Sequence, residues 1–263
     1  MKTLMNGCEL AFDLAGRGES LVFLHGFPFN RSTWDDQVGL FSPQFRTIRY
    51  DHRGQGESGV GDGLFTVELL VDDLIGMLDH LQVGRAILCG LSMGGYVALR
   101  AVERHPERVS GLVLCDTRSE ADSNEAKMKR AAAIKAIAEK GVEAFADGFL
   151  KGIFPAETFE KRPDVVARVK KMITATSPLG LRGTLLALAA RTSTTESLGR
   201  IQVPALVLVG EKDSITPPSA AESLQKAIPG ATMRVIPGAG HLSNLDNPAA
   251  FNDALASFLK KSF

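Results

Sequence analysis

A chain of 263 residues has room for one large α/β domain, or for a domain carrying an insertion. Its 44% hydrophobic and 23% charged residues are those of a folded globular protein and exclude a disordered or fibrous one. Thirty Lys and Arg balance thirty Asp and Glu, so no overall field draws the molecule to nucleic acid or an anionic membrane.

The N-terminal stretch MKTLMNGCELAFD lacks the apolar run of a signal peptide, and nowhere do ~18 apolar residues stand together. Cys8, Cys89 and Cys115 form no Cys-x-x-Cys pair, and the last two sit in apolar runs as small hydrophobes. A reducing, cytoplasmic location is the expectation. The first two strand-like segments, TLM and ELAFDLA, are joined by Asn6-Gly7, a hairpin signal because both residues tolerate positive φ.

Next comes the apolar run SLVFLHG, which ends in His25-Gly26-Phe27-Pro28. Gly26 lets the backbone approach closely, and the Phe27 amide is placed to donate to a developing oxyanion. His25 suits a loop-holding hydrogen bond better than a base. Phe27, Phe29 and Trp34 line an acyl pocket or, equally, pack the core. The strand RTIRYDH then leads into Gly54-Gln55-Gly56-Glu57-Ser58-Gly59, formally G-x-G-x-x-G. A dinucleotide site needs a helix to open at once, whereas VGDGLFT supplies more turn residues, so a tight structural loop is expected. In FTVELLVDDLIGMLDHL the apolar positions recur at three and four, with Thr66 as N-cap.

The strand AILC runs into Gly90-Leu91-Ser92-Met93-Gly94, of the form G-x-S-x-G, and the helix MGGYVALRAVERH runs out. That strand–turn–helix context is what a nucleophile elbow requires. The glycines relieve crowding, and the turn lifts Ser92 to a helix N-terminus, where the Met93 amide is a second oxyanion donor. The plain alternative is a βα corner with a capping serine. His80 and His105 fall near helix C-termini and read as structural.

After SGLVLCD the alternation of strand and helix breaks. Residues 118–200 show only helical pattern: a capping box from Asp122 and Glu125, a helix stopped by Gly141, then three more pieces with Pro163 and Pro178 as starts. Inserted between two parallel strands, this block emerges at their C-terminal edge and reads as a lid, leaving 1–117 and 201–263 as the core. The strand PALVLVG precedes Asp213, and the last strand, TMRVIP, precedes the Gly-rich loop holding His241. His241 lies on the same edge as Ser92 and is the best base. Asp213 is the chosen carboxylate to orient it, Asp116 the competitor, and Asp246 a loop or cap residue. The five histidines show no metal-ligand spacing.

With HGFP, YDHRGQGESG, GLSMGG, GEKDSITPP and GAGHLSNLDNP in this order, the chain resembles the α/β-hydrolase superfamily over essentially its whole length. The resemblance implies an eight-stranded, mostly parallel sheet with helices on both faces and an inserted helical lid. It implies Ser92 as nucleophile, Asp213 as acid, His241 as base, and the Phe27 and Met93 amides as oxyanion hole. Within the superfamily the chain is similar to small bacterial carboxylesterases, cofactor-free perhydrolases and 3-oxoadipate enol-lactonases. The stretch HGFPFNRSTWDDQ looks closer to the esterase and perhydrolase form, and a serine nucleophile sets aside haloalkane dehalogenases and epoxide hydrolases.

The expected function is hydrolysis of small to medium carboxylic esters through an acyl-enzyme, with no cofactor and no metal. The expected partner is a small ester or lactone, not nucleic acid or membrane. A lactonase or carbon–carbon bond hydrolase with the same triad is the rival among enzymes; there Arg31 or Arg191 would bind a substrate carboxylate, against the plainer reading of both as surface residues. A non-catalytic small-ligand receptor on the same fold is the rival from another class.

Overall fold

The computed structural model describes residues 1–263. Eight strands form one sheet: β1 (Lys2–Met5), β2 (Cys8–Ala15), β3 (Ser20–Leu24), β4 (Arg46–Tyr50), β5 (Ala86–Leu91), β6 (Val109–Cys115), β7 (Ala205–Gly210) and β8 (Thr232–Ile236). Their order across the sheet is β1-β2-β4-β3-β5-β6-β7-β8. The β1–β2 and β2–β4 pairs are antiparallel and every other pair is parallel. Asn6 (φ 44°) and Gly7 (φ 74°) make the tight turn between β1 and β2.

The helices are α1 (Asp35–Phe41), α2 (Val67–His80), α3 (Met93–Arg104), α4 (Asn124–Ile153), α5 (Ala156–Lys161), α6 (Pro163–Thr174), α7 (Pro178–Ala190), α8 (Pro218–Ala227), α9 (Ser243–Asp246) and α10 (Pro248–Ser262). Alternate residues of each central strand feed two cores. Val22, Leu24, Leu88 and Val207 meet α2, α3 and α8, while Leu21, Phe23, Ile87 and Leu208 meet α1 and α10. Covering both faces is why β3, β5 and β7 are buried at every position. No helix is long and apolar enough to cross a membrane.

Between β6 and β7 the chain builds α4 to α7 and a 3-10 turn at Thr195–Arg200. Two local expectations change here. Ser123, not Asp122, caps α4, its hydroxyl accepting from the Ala126 amide at 3.2 Å. Asp122 is instead held by Arg130 and by Arg191, whose Nη2 lies 3.0 Å from its Oδ1. Gly141 breaks α4 with φ 80° and ψ 174°, but the helix resumes past it. Four helical segments therefore follow the break, because the short α5 carries no strong periodic signal. Pro163 and Pro178 do open α6 and α7.

Parallel register brings the C-terminal ends of β3, β5, β6, β7 and β8 to one edge, with Leu24 beside Gly90, Leu91 beside Cys115, and Gly210 beside Ile236. The residues that follow these ends meet there.

Candidate active site

Ser92 follows β5 in a backbone conformation that side-chain-bearing residues rarely adopt, φ 51° and ψ −110°. Crowding explains the glycines around it. A Cβ on Gly90 would stand 2.3 Å from the Gly94 carbonyl oxygen, and one on Gly94 would stand 2.1 Å from that of Leu24. The Ser92 amide donates to the Cys115 carbonyl at 2.9 Å, and the Thr117 hydroxyl donates to the Ser92 carbonyl at 2.8 Å. So fixed, the turn presents the hydroxyl at the start of α3.

His241 Nε2 lies 2.9 Å from Ser92 Oγ, and its Nδ1 lies 2.9 Å from Asp213 Oδ2. A proton on Nδ1 donated to Asp213 leaves Nε2 free to accept from the serine hydroxyl. Asp213 is itself fixed by its own turn. Its Oδ1 accepts from the amides of Ile215 (2.8 Å) and Thr216 (3.0 Å), and its Oδ2 from the Thr216 hydroxyl (2.6 Å). Burial works against the Asp213 carboxylate, yet the His241 ring and Thr216 hold it below the usual carboxylate range. Burial also pulls the His241 imidazole down. The charge and hydrogen bond of Asp213 outweigh that pull and hold the ring above its ordinary value, with Asp116 adding to the rise and Arg118 opposing it.

Asp116 does not contact the His241 ring nitrogens. Its oxygens accept from the Gly210 amide at 2.8 Å and the Ser243 hydroxyl at 2.5 Å. Asp246 caps the His241 loop, accepting from the Gly240 amide (2.7 Å) and from Thr158 Oγ1 (2.8 Å).

On the other side of Ser92 lies the loop after β3. A Cβ on Gly26 would stand 3.2 Å from Ser92 Cβ, so the Gly26 backbone comes close against the serine. Met93, the first residue of α3, has no acceptor within its own helix for its amide. His25 holds its loop: Nδ1 lies 2.9 Å from the Gly26 carbonyl and Nε2 accepts from the His52 amide at 3.0 Å. Phe27 and Phe29 meet rings from the inserted block. Phe149 stands 6.1 Å from Phe27 and 6.2 Å from Phe29, and Phe145 stands 6.1 Å from Phe27. Ser92 is only 8% exposed.

Trp34, Arg31 and Arg191, each given two readings from the sequence, lie as follows. Trp34 is not at the site: its fully buried ring packs against Phe23 (5.0 Å) and Phe251 (6.1 Å) in the core. Arg31 is paired with three carboxylates of its own chain, those of Asp13, Asp51 and Glu57. Arg191 is held by Asp122 and lies 3.9 Å over the Tyr96 ring. The Gly54–Gly59 loop is a joint: Gly54 packs against Gly180 of α7, and Gln55 Nε2 donates to Thr184 at 2.8 Å. No group of three or more His, Cys, Asp or Glu is arranged to hold a metal ion.

A family profile described as alpha/beta hydrolase fold matches residues 19–248. The chain belongs to that family. Among curated sequences, 3-oxoadipate enol-lactonase 2 of Acinetobacter baylyi is 29% identical, covering 99% of this chain and 97% of the relative. Among solved structures, a thermophilic esterase from Thermogutta terrifontis, with malate bound, superposes with a TM-score of 0.94 at 37% identity, covering 99% and 97% of the two chains. The enol-lactonase from Burkholderia xenovorans superposes with a TM-score of 0.93 at 31% identity, covering 99% and 100%.

Thr216, the backbone of Ile153 and the Phe145–Phe149 pair escape sequence reasoning. Ile153, at the end of α4, accepts from the His241 amide at 2.9 Å. No short pattern points to them; even the turn by which Asp213 accepts from the Ile215 amide two residues on is open to any residue there.

Proposed function

We propose that this protein is a serine hydrolase of small to medium carboxylic esters, working through an acyl-enzyme. One observation carries the reading: the unbroken chain Ser92–His241–Asp213 with both links at 2.9 Å. Ser92 Oγ attacks the ester carbonyl carbon while His241 Nε2 takes its proton. Asp213 holds the ring in the tautomer that leaves Nε2 free and stabilises the imidazolium that forms. The carbonyl oxygen becomes an oxyanion that the amides of Phe27 and Met93 receive, with the N-terminus of α3 behind Met93. As the intermediate collapses, His241 returns the proton to the leaving alkoxide and the alcohol departs. His241 then takes a proton from water, whose oxygen attacks the acyl carbon; collapse releases the acid and restores the Ser92 hydroxyl.

Residues 118–200 act as a lid over this site. Phe145 and Phe149 give the acyl chain an apolar wall, and the enclosure of Ser92 requires this segment to yield for entry. A second reading, lactone opening by the same residues, is favoured by the enol-lactonase relatives matched along almost the whole chain. It differs only in that alcohol and acid remain one molecule.

Release of p-nitrophenol from acetate, butyrate and octanoate esters tests the proposal, with Ser92→Ala beside the native protein. Multiple turnover that falls by about a thousandfold or more in the variant is expected. Turnover that survives the substitution removes Ser92 from the chemistry. A higher kcat/KM on anionic enol-lactones than on any of these esters selects the second reading. Tight binding with one turnover or fewer per molecule selects a receptor.

A further inference from the structure

Asp116 is a fully buried carboxyl that the proposed chemistry does not use. It ends β6 in the left-handed region, φ 47°, so its side chain turns toward the neighbouring strand ends. Its Oδ1 accepts from the Gly210 amide at 2.8 Å. Its Oδ2 accepts from the Ser243 hydroxyl at 2.5 Å and the Ser243 amide at 3.3 Å. Gly210 opens the turn that carries Asp213, and Ser243 begins α9 just after His241. One carboxylate therefore ties together the two segments that must hold acid and base in register.

We propose that Asp116 is a positioning residue for His241, clamping the Asp213 turn to the His241 loop and setting negative charge behind the imidazole as it takes up a proton. This rests on the ester-hydrolase reading for its kinetic consequence, but not for its effect on the ring. The charged and titratable groups around Asp116 are few. Asp213 repels it from the β7 turn, His241 attracts it, and Arg118 stands further along its own loop, opposing charge on His241. The Cys115 thiol beside it lies 3.9 Å from that of Cys89, and burial pushes it well up, so it stays neutral. Burial and the Asp213 carboxylate together push Asp116 up to about 7. Its charge is then available near neutrality, and an imidazolium at His241 favours the ionised form. Glycine or alanine at this position would leave the Gly210 amide and the Ser243 hydroxyl without their acceptor.

Two variants separate the possibilities. Asp116→Asn keeps an acceptor for Gly210 and a donor for the Ser243 oxygen while removing the charge. Ser243→Ala keeps the carboxylate but removes the hydroxyl that favours its ionised form. The His241 ring is followed by proton–nitrogen NMR as a function of pH, without substrate. In Asp116→Asn its midpoint falls by about half a pH unit or more, and in Ser243→Ala it falls by less. In the ester assay kcat of Asp116→Asn drops about tenfold with KM nearly unchanged, and the acid limb of kcat/KM moves to lower pH. An unmoved His241 midpoint in either folded variant overturns the proposal and leaves Asp116 a structural clamp. Failure of the native protein to turn over esters overturns the hydrolase reading instead, and the NMR midpoint still decides the role of Asp116.

Discussion

At His241 two opposing effects meet, and the winner sets how the molecule responds to pH. Burial disfavours the charged ring, but the Asp213 carboxylate at 2.9 Å prevails and the ring titrates above its ordinary value. Only the neutral ring can accept a proton from Ser92. The acid limb of kcat/KM is therefore expected at a midpoint above about 6.5. A limb at or below that value, or a flat profile from pH 5 to 8, counts against His241 as base. Stability runs the other way: the contribution of this pair is complete below about 6.5 and is lost as pH rises through the folded ring's value. The glycines of the elbow set a second limit. Gly94→Ala would drive a Cβ to 2.1 Å from the Leu24 carbonyl oxygen, a backbone atom of a central strand that cannot turn aside. About 2 kcal/mol or more of stability should be lost, read by urea melts, with activity falling further because Ser92 moves with the turn. A variant as stable and active as the native protein would show that the strand gives way.

Among the elements, α4 links the inserted segment to the His241 loop. Its last residue, Ile153, accepts the His241 amide, and Thr158 of α5 donates to Asp246 at 2.8 Å. Upstream, Phe149 stands 5.5 Å from Phe145 and over the Phe27 loop. Phe149→Ala should therefore widen the acyl site more than it weakens the fold. The expected outcome is a higher octanoate-to-acetate ratio of kcat/KM, with a stability loss of about 2 kcal/mol or less because the ring is only half-buried. An unchanged ratio would place the acyl chain elsewhere. What the sequence made legible follows the same division. The elbow, the strand ends and the Ser–Asp–His order are local signals, each carried by a few adjacent residues. The Ile153 contact, the burial of Trp34, the neutralisation of Arg31 and the clamp at Asp116 join segments far apart in the chain, and no short pattern encodes which side chains meet. Even the cap of α4 was displaced by one residue, because Asp122 finds stronger partners in Arg130 and Arg191.

For the molecule as a whole, every part of the site is brought together by long-range pairing. Ser92 and His241 are 149 residues apart, and Asp213 and His241 are 28 apart. Only the whole sheet sets Ser92 against His241, so activity is expected to vanish in step with its global unfolding. The one tryptophan makes this easy to see. Trp34 sits between Phe23 of β3 and Phe251 of α10, in the core layer that α6 of the inserted segment also joins. Its fluorescence reports the packing of β3 against α10 and α6, while ester turnover, on the proposed reading, also reports the α4 contacts at the site. Midpoints in urea that coincide mean that site and sheet unfold as one cooperative unit. Activity lost at lower urea, with the indole still shielded, means that the inserted segment around α4 loosens first. The molecule thus carries a built-in gauge of its own intactness, one ring whose shielding lasts only as long as strand, outer helix and inserted segment stay packed together.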